Sequence, residues 1–236
     1  MKFRNALFCL MIILVVSGYI ESKEAKKERI DLQYALASSR DSLPIADTRK
    51  SVVTVRLPGG GHGSGFVVSE NGLLLTNAHV VGNSDKCLIE SRDGREFEGI
   101  VLNKDSKRDV AAIIARNISL PPLKIRSGFP KIAEEVYAIG APHGLPGTVT
   151  KGIISNIIKS NGEIWLQGDS AINPGSSGGP LLDANGNVVG ISTSVVSGTQ
   201  GIFLYCPIMD AVARLELHAK KPVIWYKPST WVRWFL

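Results

Sequence analysis

From residue 51 onward the chain is a succession of short apolar runs, each closed by a turn signal. Runs at 51–57, 65–69, 73–76, 87–90, 97–103 and 110–115 form a first set. Runs at 136–139, 148–158, 164–168, 181–182, 188–193 and 201–204 form a second. Runs of this length, rich in β-branched residues and bounded by Gly, Asn and Asp, read as strands. Asn71-Gly72 and Asp93-Gly94 are hairpin turns, because these pairs tolerate φ > 0. Pro121-Pro122 and Phe129-Pro130 break the chain near its middle, between the two sets. Residues 207–217 read as a C-terminal helix, and no internal repeat is visible. The expectation is an all-β fold with one short helix at its end.

Composition narrows the class. Hydrophobic residues make up 44% and charged residues 20%, which is globular rather than disordered. The net charge is +6, yet no basic run is interleaved with aromatics inside the domain, so a nucleic-acid partner is not expected. Of three cysteines, Cys9 lies in the N-terminal apolar stretch, and Cys87 and Cys206 are far apart. Two thiols make no disulfide framework, and the favoured reading is two small buried side chains. Without a CxxC or Cys/His cluster, no metal and no cofactor is expected.

The first 18 residues have the pattern of an export signal. Lys2 and Arg4 precede the apolar run 6–16, and small residues follow, with Gly18 before the expected cleavage. Val16-Ser17-Gly18 departs from an A-x-A site, so an N-terminal anchor is the alternative. Residues 19–50 are charged and mixed, a linker or packing arm. Residues 218–236 form a basic aromatic tail with Trp225, Tyr226, Trp231, Trp234 and Phe235. Contact with a membrane surface and packing on the body of the protein are equal readings of that tail.

The chemistry concentrates in one segment, Asn173-Pro174-Gly175-Ser176-Ser177-Gly178-Gly179-Pro180. Glycines around a serine allow a tight turn whose N–H groups converge, as an oxyanion hole requires. Alone, such a cluster is more often a flexible loop. Here strand, Asn185-Gly186 turn and strand follow, so the serine belongs to a rigid hairpin. A serine nucleophile needs a base, and the base needs an acid to hold its tautomer. The chain has four histidines, at 62, 79, 143 and 218.

The segment resembles the serine motif of trypsin-like proteases, and the lead-in Asp169-Ser170-Ala171-Ile172-Asn173-Pro174-Gly175 is similar to the HtrA (Deg) family. Three further stretches match that family in order. Gly63-Ser64-Gly65-Phe66 with Leu75-Thr76-Asn77-Ala78-His79 resembles its His motif. Asp105 to Ala111 resembles its Asp motif, and Ala138 to Leu145 with Thr148 to Ser155 its entry to the second barrel. The match covers roughly 51–217, and the expectation is a protease domain without the PDZ domain that many relatives carry.

The resemblance implies two six-stranded antiparallel β-barrels of the chymotrypsin type, with the active site between them and a barrel boundary near 120–132. It implies Ser177 as nucleophile, His79 as base and Asp109 as its orienting acid. The backbone of Gly175, Ser176 and Ser177 would form the oxyanion hole, with the Gly175 and Ser177 N–H groups as donors. Thr193 occupies the place of a hydroxyl residue that supports the acid. Ala171, Asn173, Thr193, Ser194, Val195 and Phe203 would line the substrate pocket. Ala171 stands where trypsin-like cleavage after Lys or Arg needs an Asp, and an unpaired cation there would be poorly solvated. Phe203 stands where the family has a Gly, which implies a shallow pocket for small uncharged residues. The expected substrates are unfolded or exposed polypeptides outside the cytoplasm, and a homo-trimer through residues 21–49 is in keeping with the family.

Two other readings compete. Gly175-x-Ser177-x-Gly179, followed by Asp210 and His218, formally fits the nucleophile elbow of an α/β-hydrolase. A protease fold kept silent until a partner shifts it would be a binding module instead.

Overall fold

The computed structural model describes residues 44–217, apart from 143, 144, 161 and 196–198. The proposed signal, the proposed tail, His143 and His218 therefore lie outside the described residues. A one-turn helix, α1 (Ile45–Thr48), and a 3-10 turn (Arg49–Ser51) lead into the first strand.

Six strands follow: β1 (Val52–Arg56), β2 (His62–Val67), β3 (Leu73–Thr76), β4 (Lys86–Glu90), β5 (Glu96–Asp105) and β6 (Val110–Ala115). They close into an antiparallel barrel in the order β1-β2-β3-β6-β5-β4. A connection over 116–134 reaches the second set. This comprises β7 (Glu135–Gly140), β8 (Thr148–Ser160), β9 (Glu163–Gly168), β10 (Pro180–Asp183), β11 (Val188–Val195) and β12 (Phe203–Pro207). Their order is β10-β11-β12-β9-β8-β7, again closed. The helix α2 (Ala78–Val81) sits between β3 and β4, and α3 (Ile208–Arg214) ends the described chain. None of the described helices is long and apolar enough to cross a membrane.

The expected architecture is present, with element ends shifted. β2 begins at His62 rather than at 65, because Ser64 and Gly63 pair with Thr54 and Val55. β12 continues to Pro207, because Tyr205 and Cys206 pair with Ser192 and Ile191. The helix is shorter than expected, with Pro207 at its N-terminal cap and Leu215 at its C-terminal cap. The turn glycines Gly72, Gly94 and Gly186 all have positive φ, as the hairpin reading requires.

Strands whose apolar residues run without interruption are those buried on both faces. Along β3, Leu74 points into the first barrel, while Leu73 and Leu75 face the second. Along β6, Ala111, Ile113 and Ala115 are inside and Val110, Ala112 and Ile114 face across. In the second barrel Leu181 and Tyr205 point inward and Leu182 and Cys206 face outward. The outward sets meet, with Leu123 and residues of α3, in one buried layer between the barrels. That layer sets how the two halves of the site face each other.

Candidate active site

The first barrel carries His79 and Asp109, the expected base and acid. His79 lies on α2, one turn of helix directly after β3, rather than at a strand end. Asp109 precedes β6 and has φ 61°, a left-handed conformation that a non-glycine side chain holds only under constraint. Its carboxylate grips His79 at two points. Oδ1 accepts the His79 backbone N–H at 2.8 Å, and Oδ2 lies 2.7 Å from Nδ1. A carboxylate accepts only, so Nδ1 carries the proton and Nε2 is the free ring nitrogen. The His79 side chain is 52% exposed, open to an incoming chain.

Two neighbours position Asp109. Asn77 is fully buried, and its Nδ2 donates to the Asp109 carbonyl at 2.7 Å and lies 3.5 Å from Thr193 Oγ1. The Thr193 hydroxyl donates to the Ile191 carbonyl at 3.1 Å. The expected support of the acid by Thr193 therefore runs through Asn77, not directly to the carboxylate. On the other side Arg108 is fully buried. Its Nε lies 2.5 Å from Asp210 Oδ2, its guanidinium 4.2 Å over the Trp165 ring, and NH2 donates to the Ile164 carbonyl. Arg214 joins Glu163 at 2.9 Å and Asp105 at 3.5 Å. The loop that ends in Asp109 is thus fastened to β9 and α3 of the other half.

The second barrel presents Ser177 on the turn before β10. Gly175 and Gly178 have φ 99° and 86°. A Cβ on Gly178 would lie 2.2 Å from the Ser64 carbonyl and from Thr76 Oγ1, so only glycine lets the turn approach the first barrel. The Ser176 N–H donates to the Asn173 carbonyl at 2.8 Å, so within the expected hole Ser176 contributes no donor beside Gly175 and Ser177. The Gly175 and Ser177 N–H groups make no hydrogen bond among the described residues. Ser177 Oγ makes a long contact of 3.5 Å to the Thr193 carbonyl, and no hydrogen bond joins it to His79 in this structure.

Of the expected pocket residues, Ala171 and Asn173 share a narrow cleft with Thr148, Thr150 and Ser176. The Ala171 carbonyl accepts the Thr150 hydroxyl at 2.9 Å. Thr193, Ser194 and Val195 form the end of β11, and Val195 pairs with Phe203 across β12. Phe203 is half-buried and packs against the interior of the second barrel, a cluster that includes Ile172 and Tyr205. The Tyr205 hydroxyl donates to the Ser170 carbonyl behind Ala171, and burial holds that phenol above its ordinary value. Asp169 turns to β8, where Oδ1 accepts the Ile153 N–H at 2.6 Å. Cys87 and Cys206 are free and buried, the first inside the first barrel and the second in the layer between barrels. The hydrolase reading is overturned. A two-barrel fold has no strand-to-helix elbow, Ser177 leads into a hairpin, and Asp210 is bound to Arg108.

Ser64, Asn77 and Arg108 were assigned no role from sequence. Ser64 had a signal, a lone hydroxyl between glycines at a strand's apolar end. Arg108 had none, because its partners lie 50 to 100 residues further along.

Known proteins resemble this arrangement. The family described as the trypsin-like peptidase domain matches residues 63–191. The serine protease HhoA of Synechocystis is 41% identical over 165 residues, 65% of this chain. A DegP-like periplasmic serine endoprotease of Halomonas elongata is 40% identical over 165 residues, also 65% of the chain. The chain spans 42% and 35% of the lengths of these two relatives. The crystal structure of a serine endoprotease from Yersinia pestis superposes with a TM-score of 0.67 at 33% identity, over 73% of this chain and 64% of that one.

Proposed function

Because the chain belongs to the trypsin-like peptidase domain family, and its relatives are named as the serine protease HhoA and a DegP-like serine endoprotease, we propose that it is a serine endopeptidase acting through Ser177, His79 and Asp109. The observation that carries this reading is the two-point grip of Asp109 on His79, which leaves Nε2 as the free ring nitrogen. Ser177 Oγ attacks the scissile carbonyl as Nε2 takes its proton. Nε2 then returns the proton to the leaving amine, and water releases the acyl-enzyme by the same route. Asp109 holds the tautomer and offsets the imidazolium charge. The free N–H groups of Gly175 and Ser177 hold the oxyanion.

The residue before the scissile bond is small and uncharged. Ala171 carries no charge, the nearby Asp169 carboxylate is bound to backbone, and Phe203 closes the barrel interior behind. The substrates are unfolded or exposed polypeptides met after export, in keeping with residues 1–18 and with the periplasmic relative.

The contact of Ser177 with Thr193 instead of His79 favours a second reading, a protease held silent until a partner or substrate draws the hydroxyl to Nε2. Incubation with reduced casein tests both. Cleavage by the wild type and none by Ser177→Ala supports the first. No cleavage, with Ser177 still labelled by a fluorophosphonate, supports the second. Neither cleavage nor labelling sinks the protease reading.

A further inference from the structure

An oxyanion hole works only if its peptide units cannot turn over, because a carbonyl swung into the hole would repel the developing charge. The turn 173–178 is rich in glycine and resists such rotation poorly on its own. What holds it comes from the first barrel. Ser64, on β2, is completely buried and touches the turn three times. Its N–H donates to the Ser177 carbonyl at 2.8 Å. Its hydroxyl donates to the Gly175 carbonyl at 2.7 Å. Its own carbonyl sits against Gly178, where any side chain would collide.

The hydroxyl is also an acceptor. The Ala141 N–H donates to Ser64 Oγ at 2.9 Å, and Thr76 Oγ1 donates to the Ser64 carbonyl at 2.6 Å. A single buried hydroxyl therefore joins the carbonyl of Gly175 to the amide that follows β7, with no polar capacity wasted at either neighbour. Gly140, the last residue of β7, packs directly on the Ser176 backbone, so the relay and the packing press on the same peptide. The two carbonyls held by Ser64 lie in the 175–176 and 177–178 units, which flank the 176–177 unit, and the Gly175 and Ser177 N–H groups make no hydrogen bond among the described residues.

We propose that Ser64 is the positioning residue of the oxyanion turn: its hydroxyl fixes the Gly175–Ser176 peptide, which joins the two units that carry the Gly175 and Ser177 N–H groups, so that the first barrel orders a transition-state site formed by the second. The inference rests on the peptidase reading for its catalytic consequence, and on geometry alone for its structural one.

The test uses the full chain with Ser64→Ala and Ser64→Cys. In Ser64→Ala, kcat on a peptide amide falls about 10- to 100-fold while KM stays within about twofold, below the loss for removing an oxyanion donor outright. A peptide boronate, which places an oxygen in the hole, loses affinity by the same factor as kcat. Ser64→Cys, similar in shape but a weak donor, behaves like Ser64→Ala; wild-type kcat in Ser64→Cys would show that Ser64 only fills space and would overturn the proposal. So would equal losses in kcat and substrate binding, or a kcat unchanged in Ser64→Ala. Amide hydrogen exchange across 173–178 is read in parallel and needs no activity. Faster exchange there in folded Ser64→Ala supports the lock, and unchanged exchange overturns it. If the wild type neither cleaves nor takes up a fluorophosphonate, the peptidase reading fails while exchange still decides the lock.

Discussion

The two barrels have the same strand count and closure, yet they contribute to the site in different ways. The first holds the proposed base and acid, His79 and Asp109, within itself, and their contact is already made at 2.7 Å. The second holds the proposed nucleophile, Ser177, and two N–H groups with no hydrogen bond among the described residues, and no hydrogen bond joins Ser177 to His79. Contacts inside one barrel are set by ladder register and by a short loop. Contacts between barrels depend on how a buried apolar layer seats one half on the other. The contact inside one barrel is therefore complete, and of the contacts that cross the interface the one between Ser177 and His79 is not made, although Ser64 already holds the Ser177 turn.

Removing the base gives the largest effect. His79→Ala is expected to lower kcat/KM by about 10^4-fold or more, and Asp109→Asn by about 10^4-fold, because the wrong tautomer is then free to form. Steady-state rates on a peptide amide check both. A loss under tenfold in Asp109→Asn would mean that the first barrel does not carry an acid–base pair.

Next come the core layers. Leu182→Ala in the layer between barrels and Leu74→Ala inside the first are each expected to cost about 2–5 kcal/mol by denaturant unfolding. They should differ in activity. Below the unfolding transition Leu74→Ala keeps kcat within about twofold, while Leu182→Ala loses more, because it disturbs the seating of Ser177 against His79. Equal kcat values would break the comparison.

The pocket gives a smaller effect, confined to the second barrel. Phe203→Ala is expected to shift preference toward larger apolar residues before the cut by about 10-fold, on the order of the 1–3 kcal/mol that hydrophobic pockets discriminate. A peptide library checks it. A wild type that already prefers Phe or Leu would contradict the shallow pocket.

The smallest effect is a pH dependence shared by the barrels. Burial pushes the Cys87 thiol up to about 11 and the Cys206 thiol up to about 12, from an ordinary value of 9.0. The folded chain thus keeps both protons where the unfolded chain has lost them. The contribution is full below pH 9 and fades as pH rises toward those values, by about 1 kcal/mol per thiol at pH 10. Melting curves from pH 8 to 10.5 should fall less steeply for Cys206→Ala than for the wild type.

Much of this was legible in the sequence. Short apolar runs with Asn-Gly and Asp-Gly turns set the strand number. The glycine-flanked serine with three ordered motifs pointed to the site. These signals are local, because periodicity, turn chemistry and motif spacing act over a few residues. Tertiary structure decided the rest. It placed His79 on a helical turn, diverted Thr193 to Asn77, and sent Arg108 into the interior. It brought Ser64 to a carbonyl 111 residues away. A side chain's hydrogen-bond partner across an interface depends on the closure of two barrels and the seating of their common layer, and no stretch of sequence encodes that by itself.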